Sequence, residues 1–116
     1  LAVIKSRVCG KRVVVVDDSM VRGTTGRLLV DLLRDAGAKE VHMRIAAPEV
    51  KNECYFGGND LDRTSLISSH KTTKEIQDMI GADSLAFLSV KGLKEACKGT
   101  ENILCMACFT GEYPVK

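Results

Sequence analysis

The pattern of apolar and polar positions predicts a strand, a helix and a second strand early in the chain. Residues 13–16 are a continuous run of valine, which is typical of a strand covered on both faces of a parallel sheet. Apolar residues then recur at helical spacing over 28–36, and Gly37 supplies a stop signal. Alternating apolar and polar positions predict another strand over 40–46. Together these elements predict a βαβ unit over 11–46.

The middle of the chain and its last part give weaker signals. Residues 50–59 are broken by glycine, as in a loop or an edge segment, and residues 61–68 favour a short helix. Residues 99–116 show no clear periodicity. We therefore expect an irregular carboxyl-terminal tail.

Between these regions the pattern predicts two further helices and a strand. Thr72 or Thr73 is a suitable cap for a helix that Gly81 ends. Residues 85–88 suit a short strand, and Ser89 can cap the helix that follows it. The alternation of strands and helices predicts the α/β class.

Composition limits the kinds of protein to consider. The chain has 116 residues, of which 45% are hydrophobic, enough for one core. Its net charge of +2 comes from 17 basic and 15 acidic residues scattered along it, so we expect no nucleic-acid partner. No apolar run approaches the ~20 residues of a membrane span, and no secretion signal opens the chain. We expect no membrane partner and a cytoplasmic location. The first residue is Leu1 rather than Met, which is compatible with a segment of a longer protein.

The loop after the first predicted strand has the composition of a phosphate site. It reads DDSMVRGTTG over 17–26 and lies at the carboxyl edge of the predicted sheet, where open α/β sheets bind ligands. Gly23 allows close approach of the backbone, and Ser19, Thr24 and Thr25 offer hydroxyl donors. The free N–H groups at the start of the following helix favour an anion.

Two adjacent carboxylates, Asp17 and Asp18, stand next to this anion site. Because like charges repel, they are expected to face hydroxyl groups or Mg²⁺ rather than the phosphate. A phosphorylated sugar satisfies both halves of the loop. The alternative is that the two acids only cap a turn in an ordinary strand-to-helix loop. For Arg22, pairing with phosphate and simple solvation both stay open.

The chain has five cysteines, an odd number, in a sequence that otherwise resembles a cytosolic α/β protein. Cys105 and Cys108 form a CxxC pair, but a tight metal site usually needs about four ligands. Spacing alone leaves three interpretations open, namely a metal site, a redox pair and simple packing. His42 and His70 adjoin no candidate nucleophile or acid, so we expect structural or solvated roles for both.

Several segments resemble a known family. The valine run, the two acids and the loop ending in GTT match the phosphoribosyl diphosphate (PRPP) motif of type I phosphoribosyltransferases. VVVVDDSMVRGTT, DLLRDAGAKEVHMRIAAP, CYFGGND, IGADSLAFLSVKGL and CMACFTGEYP resemble, in this order, the carboxyl-terminal part of the amidophosphoribosyltransferase family. The resemblance implies a partial type I phosphoribosyltransferase (Rossmann-like) fold, in which residues 1–116 are the carboxyl-terminal portion of the domain, with parallel strands, flanking helices and a cysteine-bearing tail over 99–116.

The resemblance also implies a reaction. The family transfers ammonia derived from glutamine to C1 of PRPP, which releases pyrophosphate and forms 5-phosphoribosylamine at the start of purine synthesis. Asp17 and Asp18 would be the catalytic acids, beside the ribose hydroxyls and the Mg²⁺ that accompanies PRPP. The substrate-binding loop that wraps the 5′-phosphate would consist of Ser19, Met20, Val21, Arg22, Gly23, Thr24 and Thr25.

In one branch of the family a [4Fe–4S] cluster is bound, and the resemblance implies Cys54, Cys105 and Cys108 as ligands. The fourth ligand would lie outside this chain, so the isolated chain is expected to hold a cluster poorly. Cys9 and Cys97 receive no role, and their expected state is that of small, partly buried side chains. Gly58 departs from the aliphatic residue that is usual in the family.

The family's glutaminase domain is absent from this sequence, as is the first part of the phosphoribosyltransferase domain. The resemblance therefore implies that the chain alone is inactive, although its parent would be a tetramer that uses PRPP and glutamine. Two alternatives stay open: a phosphoribosyltransferase that acts on a base, and a regulatory module that binds PRPP without catalysis.

Overall fold

A computed structural model describes residues 2–56 and 63–115 of the chain. Its centre is a sheet of three parallel strands in the order β1-β2-β3. The strands are β1 (Arg12–Asp17), β2 (Glu40–Ile45) and β3 (Ser84–Phe87). The helices are α1 (Lys5–Val8), α2 (Thr24–Asp35), α3 (Thr73–Ile80), α4 (Val90–Ala96) and α5 (Ala107–Thr110), and 3₁₀ turns cover Arg63–Ser65, Ile67–Ser69 and Glu101–Ile103. The predicted α/β class and the βαβ unit are confirmed.

The hydrophobic core lies between one face of the sheet and helices α2 and α3. Val41 and Met43 of β2 are fully buried there, as are Val30 of α2 and Ile76 of α3. Burial of such side chains contributes about 1.5–3 kcal/mol each. The central strand therefore holds the two helices against the sheet.

The expectation that β1 is covered on both faces is wrong. Val13 and Val15 pack against the core, but Val14 and Val16 are 60% and 72% exposed. Because side chains alternate along a strand, the two exposed valines lie on the face opposite α2 and α3. In the described part of the chain, β1 is half-covered and lies at an edge of the sheet.

Local capping signals set the helix ends. Thr72 caps α3 through a capping box with Glu75, in which the Thr72 hydroxyl accepts from the Glu75 N–H. Gly81 then ends α3 with a φ of +78°, and Ser89 caps α4 by accepting from the Gly92 N–H. After α2, Gly37 adopts a φ of +92°. Each of these predicted caps and stops is confirmed.

The weaker sequence signals gave mixed results. The short helix predicted over 61–68 is two successive 3₁₀ turns instead, and residues 61 and 62 lie outside the described residues. Gly58 lies outside them as well. Helices α1 and α5 and the 3₁₀ turn in the tail were not predicted. Among the described residues no helix is long and apolar enough to cross a membrane.

Candidate functional site

The loop after β1 forms a pocket at the carboxyl edge of the sheet. The parallel register pairs Asp17 with Ile45, so the ends of β1 and β2 meet at this edge. A cavity of about 510 Å³ is lined by residues 17–26. All the residues predicted to bind the phosphorylated sugar therefore line one pocket.

Two aspartates, Asp17 and Asp18, line this pocket. Asp17 is half-buried and Asp18 is exposed. Asp17 Oδ1 accepts from the Asp18 N–H at 3.0 Å, and Asp18 Oδ1 accepts from the Ser19 N–H at 2.6 Å. These bonds orient both carboxylates through one oxygen, and within the described part of the chain neither Oδ2 has a hydrogen-bond partner. The second oxygens are therefore available to a ligand.

The other side of the pocket is the amino terminus of α2. Gly23 is the N-cap of this helix, with a φ of +81° and no side chain to accept a hydrogen bond. The first helical bond runs from the Arg27 N–H to the Gly23 carbonyl at 3.0 Å. The N–H groups of the first turn thus have no intrahelical acceptor, and the helix dipole adds partial positive charge. This end of α2 suits an anion such as a phosphate.

The residues of the loop divide between solvent and core. Ser19, Arg22, Thr24 and Thr25 are exposed, and in the described structure Arg22 makes no ion pair. Met20 is only 5% exposed and belongs to the core cluster. The burial of Met20 was missed at the sequence level, where the only signal was a large apolar residue inside a polar loop.

A second cavity, of about 410 Å³, opens at the same edge of the sheet beyond β2 and β3. Its polar lining includes Glu49, which accepts from the Thr73 hydroxyl at 2.6 Å and pairs with Lys51 Nζ at 3.1 Å. Burial raises the pKa of Glu49, but the bonds from Thr73 and Lys51 outweigh it, so the pKa lies below its usual value. Glu49 was not predicted, because its partner Thr73 lies 24 residues further along the chain.

The three cysteines predicted as cluster ligands lie in one neighbourhood. The N–H groups of Lys51 and Asn52 donate to the Cys108 carbonyl at 2.9 and 3.0 Å, which joins the Cys54 segment to α5. Burial raises the pKa of Cys108, and the charges of Cys54 and Cys105 raise it further. All three thiols are free.

The remaining cysteines and histidines lie away from the pocket, where they contact other parts of the fold or face solvent. His42 Nδ1 lies 2.7 Å from the Ser84 hydroxyl on the face of the sheet opposite α2 and α3, while His70 is exposed. Cys97 is half-buried, but Cys9 is exposed, so the expected partial burial of Cys9 is wrong. None of these side chains lines the pocket of residues 17–26.

No protein-family model matches the chain, but individual proteins do. Amidophosphoribosyltransferase 2, chloroplastic, of Arabidopsis thaliana is 57% identical over 107 residues, which are 92% of this chain and 19% of that protein. The amidophosphoribosyltransferase of Archaeoglobus fulgidus is 50% identical over 115 residues, or 97% of this chain and 25% of that protein.

Solved structures agree with these relatives. A structure of the allosteric regulatory enzyme of purine biosynthesis superposes with a TM-score of 0.91 at 44% identity, covering 99% of this chain and 26% of that one. Glutamine PRPP amidotransferase from B. subtilis, complexed with ADP and GMP, gives the same values. This chain belongs to the amidophosphoribosyltransferase family. It spans about a fifth to a quarter of the length of the relatives.

The amidophosphoribosyltransferase family implies Mg²⁺ with PRPP, and the pocket fits this ion. Mg²⁺ is usually held by one or two carboxylates together with substrate phosphates and water. Asp17 and Asp18 would supply the carboxylates, since each uses one oxygen in its bond to the next N–H group.

The cysteines do not fit a [4Fe–4S] cluster by themselves. The described residues contain no group of three or more side chains arranged to hold a metal ion. A cluster of this type takes four cysteine ligands, whereas Cys54, Cys105 and Cys108 are three. The chain brings these thiols near one another without completing a metal site.

Proposed function

We propose that this chain is the part of an amidophosphoribosyltransferase that binds the ribose 5-phosphate half of PRPP. The observation that carries this proposal is the pocket of residues 17–26, which joins two carboxylates to an uncapped helix amino terminus. In the proposed reaction of the whole enzyme, ammonia from glutamine attacks C1 of PRPP, pyrophosphate leaves and 5-phosphoribosylamine forms. Residues 1–116 would be the carboxyl-terminal portion of the phosphoribosyltransferase domain.

Each part of the pocket has its own proposed task. The N–H groups at the start of α2 and the hydroxyls of Ser19, Thr24 and Thr25 hold the 5′-phosphate. Asp17 and Asp18 accept hydrogen bonds from the ribose hydroxyls and hold Mg²⁺. When bound, Mg²⁺ offsets the negative charge that builds on the departing pyrophosphate. Placing the sugar in this way orients C1 for attack without a nucleophilic side chain.

Several properties of the parent enzyme belong to the same proposal. The relatives are four to five times longer than the matched segment, so we propose that this chain alone does not catalyse the transfer. The parent would use PRPP and glutamine, assemble as a tetramer and work in the cytoplasm. We also propose that Cys54, Cys105 and Cys108 bind a [4Fe–4S] cluster only together with a fourth ligand outside this chain.

Binding of ribose 5-phosphate to the chain tests the function of the pocket. We expect added ribose 5-phosphate and Mg²⁺ to shift the amide resonances of Gly23, Thr24 and Thr25. Asp17→Asn and Asp18→Asn should each weaken the Mg²⁺-dependent binding by roughly tenfold, because each removes a negative ligand.

The matched control is Asp31→Asn, which neutralises an exposed acid on α2 outside the pocket. Its affinity should stay within about twofold of the unmodified chain. Unchanged affinity in both Asp17→Asn and Asp18→Asn would remove the role proposed for the two acids. Absence of any response in the unmodified chain would count against the pocket as a sugar phosphate site.

A further inference from the structure

The phosphate loop, which we define as residues 19–25, is supported on its buried side by a segment that is distant in the sequence. The loop is polar towards solvent, yet Gly23 is buried at its end. A loop that must present N–H groups to an anion at hydrogen-bond distance has little tolerance for displacement. What fixes the depth of Gly23 therefore affects what the loop can bind.

Two side chains from outside the loop fill the space next to Gly23. A Cβ placed on Gly23 would come within 3.1 Å of Ile67 Cδ1 and 2.9 Å of Met79 Cε. Ile67 is 4% exposed and belongs to the second 3₁₀ turn, more than forty residues after the loop. Gly23 therefore combines a left-handed φ with a lack of space for any side chain.

The backbone makes a second connection at the same place. The Ile67 N–H donates to the Val21 carbonyl at 2.9 Å. Ile67 thus meets the phosphate loop in two ways: its N–H group bonds to Val21, and its Cδ1 atom occupies the space where a Gly23 side chain would stand. Arg27, in the first turn of α2, also donates from Nη1 to the Met79 carbonyl at 3.1 Å.

We propose that Ile67 is a positioning residue for the phosphate loop. Its Cδ1 atom sets how deeply Gly23 lies, and its N–H group holds the Val21 carbonyl away from the pocket. Together these contacts direct the free N–H groups of α2 towards the bound phosphate. This inference rests on the proposed function and adds a residue that lines no part of the pocket itself.

Removing a single methyl group can distinguish this positioning role from ordinary core packing. Ile67→Val deletes Cδ1, the atom that faces Gly23, and keeps the remainder of the side chain. Ile76→Val removes the same atom from an equally buried isoleucine, which lies on α3 and has 0% exposure. Since Ile→Val is a mild change in a core, both variants are expected to fold. Ile67→Leu restores a δ-carbon and serves as the conservative rescue.

The experiment measures binding of ribose 5-phosphate with Mg²⁺ by amide NMR, with thermal unfolding of each variant alongside. We expect Ile67→Val to weaken binding roughly fivefold, while Ile67→Leu and Ile76→Val stay within about twofold of the unmodified chain. Thermal stability should fall by a similar amount in Ile67→Val and Ile76→Val. Equal losses of affinity in these two variants, or none in Ile67→Val, would overturn the positioning role.

A readout without ligand separates this inference from the proposed function. If the unmodified chain does not bind ribose 5-phosphate, the proposed function fails, but the loop contacts are still testable. Hydrogen exchange of the Ile67 amide should quicken in Ile67→Val more than in Ile76→Val, because the bond to Val21 loses its side-chain support. Equal exchange in both variants would overturn the inference on its own terms.

Discussion

The carboxylate of Asp83 connects three elements of the fold through one oxygen. Asp83 Oδ2 accepts from the Val41 N–H at 2.7 Å and from Arg34 Nη2 at 3.0 Å. Arg34 Nη2 also donates to the Gly81 carbonyl at 2.7 Å. The hydrogen bond from Val41 lowers the pKa of Asp83 most, burial opposes it, and Arg34 lowers it further. This residue joins the end of α3 to β2 and α2.

Replacing Asp83 with asparagine should make the free energy of unfolding depend less on pH in the acidic range. Because the folded pKa lies below the ordinary value of 3.8, the unfolded chain binds more protons in this range, so the carboxylate stabilises the fold above that value. The stabilisation is lost as the pH falls through the folded pKa. With the side chain 39% exposed, solvent screening reduces the expected loss in Asp83→Asn to about 1 kcal/mol at neutral pH.

Urea unfolding at several pH values checks this expectation. The gap in the free energy of unfolding between the unmodified chain and Asp83→Asn should close below the ordinary pKa of 3.8. Asp78→Asn is the control, since Asp78 is 64% exposed and its i,i+4 pair with Lys74 is a surface pair. A gap that persists in acid would contradict the assigned role of the carboxylate.

At the scale of single elements, the capping box of α3 makes a measurable contribution. Thr72→Ala removes the acceptor of the Glu75 N–H, and a lost N-cap typically costs about 1 kcal/mol. Thr72→Ser keeps a hydroxyl and should recover most of that loss. The measurement is the free energy of unfolding in urea. If alanine and serine behaved alike, the side-chain cap would not support α3.

The cysteine ligands of the chain allow its iron–sulfur content to be predicted. The chain supplies Cys54, Cys105 and Cys108 but no complete group for a metal among its described residues. After anaerobic reconstitution with iron and sulfide, we expect far less than one [4Fe–4S] cluster per chain, because the cluster takes four cysteine ligands and the proposed fourth ligand lies outside this chain. Iron and sulfide analysis measures this directly. A stable cluster at full stoichiometry would show that the missing-ligand interpretation is wrong.

The elements that sequence predicted well are those with local signals. The end of α3 depends on Gly81, which alone tolerates a φ of +78° without strain, and the start of α4 depends on the Ser89 hydroxyl. The coverage of β1 was mispredicted because a run of valine does not reveal which face meets a helix. The segment predicted as one short helix over 61–68 forms 3₁₀ turns instead, because its conformation depends on tertiary bonds such as that from the Ile67 N–H to the Val21 carbonyl.

The same division applies to the candidate site. The loop over 17–25 was recognisable because its acids, glycines and hydroxyls are consecutive in the sequence. Glu49 and Ile67 were not, since each acquires its significance from a partner far away along the chain. Residues that support a site through packing leave no local pattern of their own.

For the whole molecule, the face of the sheet opposite α2 and α3 leaves apolar side chains of β1 exposed. Val14 and Val16 are exposed side by side on β1, and the segment spans only about a quarter of the Archaeoglobus relative. Exposed apolar side chains on an edge strand favour association with another surface. Whether that face is bare in solution therefore determines how much these valines contribute to stability.

Threonine substitutions on β1 distinguish a bare face from a covered one. Val16→Thr should change the free energy of unfolding by no more than about 0.5 kcal/mol, because Val16 is 72% exposed and threonine suits a strand. Val15→Thr should cost about 1 kcal/mol or more, since Val15 packs against the core and its new hydroxyl would lose water. Urea unfolding at two protein concentrations measures both changes. If Val16→Thr costs as much as Val15→Thr, and only at the higher concentration, a second copy of the chain covers this face. The isolated sheet would then gain stability from self-association rather than standing half-covered.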